Sequence, residues 1–172
     1  MGASAWSYFI PYNENVQEAL IALRQKVFEE KKYYRPDNSN LPATFEEWVT
    51  LHKLQIPPDK VKKWEDDFYE SKRKAAIDPA TIEELLELNQ ESGTHSIIDI
   101  FEISPATDDQ HSGTLSQEDI FRLLGTVQPD RKMVETKAEE LLDFRGRWFC
   151  TYLVVYKNGR PDELFFTGFS GD

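Results

Sequence analysis

Apolar positions along the chain change period several times, and each change predicts an element. Ala5 to Tyr12 is rich in aromatic and β-branched residues and predicts a first strand, with Pro11 near its end, where no ladder donor is required. Val16, Ala19, Leu20, Leu23, Val27 and Phe28 recur at the helical period and predict a helix over Val16 to Glu30, opened by the cap chemistry of Asn13-Glu14-Asn15. Residues 31–44 carry breaker residues throughout and read as a long loop. Thr44 and Glu47 have capping-box spacing and open a short helix over Phe45 to Leu54, which Pro57-Pro58 ends. Asp59 to Ala76 predicts a further helix, with Val61, Trp64, Phe68 and Ala75 on a narrow apolar stripe. Asp78-Pro79 opens another, reaching about Asn89.

His95 to Ile103 follows, with Ile97, Phe101 and Ile103 on one face of an extended chain and Ile98 and Ile100 on the other. Apolar residues on both faces predict an interior strand. After a polar loop at 104–114, helices are expected from Ser116 to Leu124 and from Asp130 to Phe144. The end of the chain predicts a β-hairpin. Trp148 to Tyr156 and Asp162 to Gly168 are two strand-forming runs on either side of Asn158-Gly159. The expected fold is therefore α+β, one domain over 1–172. A four-stranded mixed or antiparallel sheet carries about six helices and ends in the C-terminal hairpin.

A two-residue turn at Asn158-Gly159 also predicts how the hairpin faces are composed. Leu153 is expected opposite Leu164 and Thr151 opposite Phe166, forming an aliphatic face with Val155 and Phe149. The other face is expected to set Tyr152 opposite Phe165, Cys150 opposite Thr167 and Trp148 opposite Phe169, with Val154 and Glu163 beside them. That second face combines a phenol, an indole, a thiol and a carboxylate. This mixture suits a ligand pocket or a homodimer surface, so Trp148, Tyr152, Glu163 and Phe165 are the candidate ligand-binding residues.

Charge alters this picture only once it is mapped. The net charge is −11, and residues 77–143 alone hold 16 acids against 4 bases. Such a field disfavours nucleic acid and anionic membranes and favours a basic protein partner. No apolar run approaches the roughly 20 residues needed to span a bilayer. No secretory signal is apparent, and Cys150 is the only cysteine, so a reduced, cytoplasmic setting is expected.

Catalytic candidates are few. Asp99 lies within Ile-Ile-Asp-Ile-Phe, where a carboxylate must be paired, for instance with Arg145 or Arg147, or else have its acidity perturbed. His95 lies on the same predicted strand face, about 13 Å away at roughly 3.3 Å per residue. Asp99 and His95 are therefore the candidate acid–base pair, able to line one cavity without touching. Cys150 as a nucleophile would need His95 within reach, and a buried inert thiol is the simpler reading. Residues 108–119 resemble an EF-hand calcium loop, with Asp108 first, Gly113 sixth and Asp119 last. Gln110 and Ser112 depart from the pattern, and no helix is predicted to lead into the loop. The alternative there is a helix N-cap at Ser116. No metal or cofactor is expected. The first functional reading is an acidic binding or regulatory protein. A small-molecule-binding protein or enzyme with its pocket on the hairpin comes second, and calcium binding at 108–119 third.

Overall fold

The computed structural model describes residues 4–35, 41–90, 92–104, 113–144 and 149–170. The chain groups into two compact units, Met1–Tyr34 with Gln90–Asp172, and Arg35–Asn89. The second is thus an insertion in the sequence of the first.

The first unit is built on a four-stranded mixed sheet in the order β1-β4-β3-β2. Its strands are β1 (Ser4–Pro11), β2 (Gly113–Thr114), β3 (Cys150–Lys157) and β4 (Arg160–Ser170). β4 pairs antiparallel with both β1 and β3, while the short β2 runs parallel to β3. The Asn-Gly turn forms as expected, with Asn158 at φ 53° and Gly159 at φ 73°, the left-handed pair that a tight hairpin requires.

The predicted register does not persist beyond that turn. Lys157 faces Arg160 and Tyr156 faces Pro161, but Val155 faces Glu163, so Asp162 is the extra residue of a β-bulge. The backbone groups beside the bulge are satisfied elsewhere. The Tyr156 N–H donates to the Pro129 carbonyl at 2.8 Å, and the Tyr12 N–H donates to the Asp162 carbonyl at 2.9 Å. Beyond the bulge Leu153 faces Phe165, Tyr152 faces Phe166 and Thr151 faces Thr167. The expected pairings of Tyr152 with Phe165 and Leu153 with Leu164 are therefore corrected by one residue. Because strand side chains alternate, that single residue exchanges every β4 side chain between the two faces.

One face of the sheet presents Phe9, Phe165, Leu153 and Val155 to the helices α5 (Gln117–Leu124), α6 (Arg131–Thr136) and α7 (Ala138–Leu142). Leu115, Leu124, Val134 and Leu141 complete this buried cluster, and burying each such side chain contributes about 1.5–3 kcal/mol. The opposite face carries Trp6, Tyr8, Leu164, Phe166, Cys150 and Tyr152. A single 3₁₀ turn, Ile97–Asp99, packs on both β4 and α1 (Val16–Glu29) on that side, and the Tyr8 phenol oxygen accepts the Ile97 N–H. α1 is capped by Asn15 and buries Ala19, Leu20, Leu23 and Val27, as its periodicity predicts.

The helix expected to open at Asp78-Pro79 starts instead at Ile82, where the Thr81 hydroxyl accepts the Glu84 N–H, and two further expected elements differ. The interior strand over 95–103 is absent, since Ser96 caps the 3₁₀ turn by accepting the Ile98 N–H, and His95 adopts φ 53°. Side chains that bond to their own local backbone compete with strand pairing here. The expected helix over 130–144 divides at Lys137, whose N–H is shared between the Met133 and Val134 carbonyls. At the preceding residue the Thr136 hydroxyl donates to the Lys132 carbonyl, a back-bond that bends helices.

The second unit comprises α2 (Phe45–Leu51), α3 (Val61–Ala76) and α4 (Ile82–Leu88), with a 3₁₀ turn over Pro58–Lys60. The expected capping box forms at Thr44 and Glu47. Arg35 closes the C-terminal end of α3 by donating to the Ala75 and Ile77 carbonyls and to the Asp78 carboxylate.

Gly168 shows how closely the strands of the sheet are fitted to one another. A Cβ there would stand 2.3 Å from the Phe149 carbonyl oxygen and 2.7 Å from the Trp6 ring. Gly168→Ala is expected to destabilise the first unit by about 1–3 kcal/mol through overpacking. Urea denaturation followed by circular dichroism measures this, and a midpoint equal to wild type would contradict the packing described.

Candidate functional site

The predicted acid–base residues share one turn, where Asp99 is partnered by Thr94 within the turn and His95 by Ser4 and Tyr34 outside it. Both Asp99 carboxylate oxygens accept the Thr94 N–H, at 2.8 and 3.0 Å. This carboxylate therefore satisfies a buried backbone donor on the residue preceding His95. The His95 ring stacks on Tyr34 with centroids 4.3 Å apart, and its Nδ1 lies 2.9 Å from the Ser4 hydroxyl. Its Nε2 is buried with no hydrogen-bond partner among the described residues. The pair holds a strained turn against β1 and the start of the insertion-bearing loop. Arg145 and Arg147, the expected partners of Asp99, lie outside the described residues.

Among the described residues, the predicted hairpin set is divided between the two faces of the sheet. Phe165 is buried in the helix-covered face, Tyr152 projects from the other, and Trp148 lies outside the described residues. Glu163 is on the Phe165 side and engages Arg131 at 2.7 Å, while that guanidinium sits 4.2 Å from the Phe9 ring centroid. Arg131 also pairs with Glu135 at 2.8 Å, so Glu163 belongs to a clamp fastening α6 to the sheet. A charged cleft of about 540 Å³ opens beside this clamp, lined among others by Asp130, Arg131, Lys157 and Asp162. Cys150 is buried, with its thiol 3.5 Å from the Thr151 carbonyl.

For the calcium-loop resemblance, residues 108–112 lie outside the described residues. Gly113 and Thr114 form β2, and Ser116 caps α5, as the alternative reading expected. The Asp119 carboxylate is engaged by the Ser116 hydroxyl at 2.6 Å and by Arg122 at 2.7 Å. No group of three or more His, Cys, Asp or Glu side chains suited to a metal occurs among the described residues.

A second concavity of the first unit lies between α5 and α6. It measures about 300 Å³ and is lined by Leu123, Leu124, Met133 and Thr136, with Asp130, Lys132 and Lys137 at its charged margin. Local sequence builds it. Gly125, at φ 73°, stops α5, and Asp130 caps α6 by accepting the Met133 N–H at 2.9 Å. The turn between them is tied to the hairpin through the Pro129–Tyr156 hydrogen bond. Met133 is 43% exposed and Phe121, one turn before Leu124 on α5, is 61% exposed. Periodicity places these residues on helices, but it does not show that they lie on the outer side.

No family model matches the chain, and neither the curated proteins nor the solved structures include a significant match to it. No helix among the described residues is long and apolar enough to cross a membrane.

Two outcomes are expected. Asp99→Ala should cost about 1–3 kcal/mol in urea denaturation because the buried Thr94 N–H loses its acceptor, whereas Asp99→Asn, which keeps an oxygen, should cost less. Equal, negligible effects would remove the structural role. Separately, burial holds the Tyr8 and Tyr152 phenols above their ordinary value of 10.0. Raised pKa values of this kind contribute stability that is complete below about pH 10 and lost as pH rises through the folded-state values. Alkaline difference spectroscopy should show these two tyrosines ionising after the exposed ones. Loss of the late phase in Tyr8→Phe and Tyr152→Phe would assign it.

Proposed function

We infer that this protein is a non-catalytic binding module whose α5–α7 region receives a basic partner segment carrying an apolar anchor. The observation that carries this reading is the α5–α6 concavity, lined by the exposed Met133, with Phe121 also exposed on α5 in the same acidic stretch. Residues 113–144 hold 7 acids and 4 bases, a net charge of −3. Internal ion pairs engage Asp119, Glu135 and Glu140. Glu118, Glu139 and Asp143 remain exposed on the same helices and their ends, where long-range attraction of a cationic segment is strongest. Methionine suits such a face because its unbranched, polarisable side chain adapts to the partner. The remaining acids of 77–143 are divided between the two units. Asp78, Glu83, Glu84 and Glu87 belong to the second and are not needed for this reading.

The test uses a fluorescent helical peptide of lysine and leucine, with glutamate–leucine and lysine–serine peptides of equal length as controls. The lysine–leucine peptide should bind most tightly and lose affinity as salt rises, because screening shortens the reach of the acids. Met133→Glu should weaken it about tenfold, the loss of one apolar anchor. The combined Glu118→Gln, Glu139→Gln and Asp143→Asn variant should flatten the salt dependence. Equal binding of the acidic and basic peptides, or an unaffected Met133→Glu, would falsify the reading.

A further inference from the structure

The second unit carries an aromatic cavity that the acidic binding face does not involve. Trp64, Asp67, Phe68 and Ser71 follow one another at the helical spacing along a single face of α3, and Trp48 of α2 stands across from them. Together with Leu41 they line a cavity of about 350 Å³. Phe68 is buried at its base, in ring contact with Trp48 at 5.7 Å and with Phe45 at 5.9 Å. Trp48 and Trp64 are only half-buried, so indole surface is left facing the space. The one charged side chain among the described lining residues is Asp67, which is exposed.

Three aromatic rings and one carboxylate around a small space make a chemically specific combination. Aromatic faces carry negative quadrupole charge and attract cations, tryptophan most strongly, and a carboxylate adds net attraction. This unit already displays the interaction: the Lys72 ammonium lies 5.6 Å from the Phe68 ring centroid while donating to the Pro42 and Ala43 carbonyls at 2.9 and 3.1 Å. A bare ammonium keeps its strongest bonds to oxygen acceptors of that kind. The cavity offers mainly π faces, which suit a cation with no N–H groups to satisfy. Its volume is at the small end of the roughly 300–1,000 Å³ of ligand sites, which matches a headgroup better than an extended ligand.

We propose that the Trp48–Trp64–Phe68–Asp67 cavity binds a trimethylammonium group. The same headgroup occurs on choline-type small molecules and on trimethylated lysine side chains, and the two sources are separated by experiment. Calorimetry on the full chain compares choline with its uncharged isostere 3,3-dimethylbutan-1-ol, and blocked trimethyllysine with blocked lysine. At least one trimethylammonium probe should bind, with its uncharged or unmethylated counterpart about tenfold weaker or undetectable. Tighter binding of choline assigns the site to small molecules, and tighter binding of trimethyllysine assigns it to a modified protein. Asp67→Asn, on an exposed helix position, should weaken the cation severalfold while leaving any binding of the neutral alcohol unchanged. Trp64→Ala should abolish cation binding with the helical circular dichroism intact. The proposal is overturned if neither cation binds, if the neutral isostere binds equally well, or if both variants bind as wild type does.

Discussion

The two-sided burial of β4 is the constraint on which the first unit depends. Leu164, Phe165, Phe166, Thr167 and Gly168 are all buried, and successive side chains point to opposite faces. No single layer can cover such a strand. The α5–α7 helices cover the Phe165 side, while the Ile97–Asp99 turn, backed by α1, lies on the Phe166 side. A one-residue slip would present each layer with the wrong residues, so the register must be pinned. The bulge at Asp162 does this, with Pro161 before it and the two flanking N–H groups bonded to Pro129 and Asp162. The Pro129 bond also fixes the α5–α6 turn. The same constraint therefore positions the concavity between α5 and α6.

Elements specified by local chemistry were legible in the sequence. The caps at Asn15, Thr44 and Ser116 each accept the backbone N–H that their spacing predicts, and Asn158-Gly159 makes the turn that its left-handed preference favours. The hairpin register was not read correctly, although the sequence held a signal. Pro161 cannot donate to a ladder, and proline within a strand run is confined to edges and bulges. Residues 95–103 failed for a different reason. Ile-Ile-Asp-Ile alternates as a strand does, and only the tertiary arrangement turns Asp99 back onto Thr94 and Ser96 onto Ile98.

Charge mapping was legible as arithmetic but less so as a surface. A count over 77–143 crosses the division between the two units at Asn89–Gln90. It also treats alike a free carboxylate and one that caps a helix or pairs with a neighbour. Asp130 caps α6, Asp119 serves Ser116 and Arg122, and Glu84 returns to the Ala80 N–H. What remains to attract a partner is smaller and more local than the linear sum suggests. On α3, likewise, the stripe of Val61, Trp64, Phe68 and Ala75 predicted a core face, yet only Phe68 of these is buried.

That mismatch separates side chains that hold the fold from those available to something else. In α5, Leu124 is buried and Ile120 and Leu123 pack against the sheet-facing cluster, so the inward side is occupied. Phe121 lies on the outer side and gains less from folding than Leu124, because much of its ring remains in water. Trp64 is in a similar position on α3, half-covered while Phe68 beside it is enclosed. An apolar side chain in such a place contributes its transfer free energy only when a second surface removes it from water. Substituting Phe121 or Trp64 therefore removes less buried apolar surface than substituting Leu124 or Phe68 beside them.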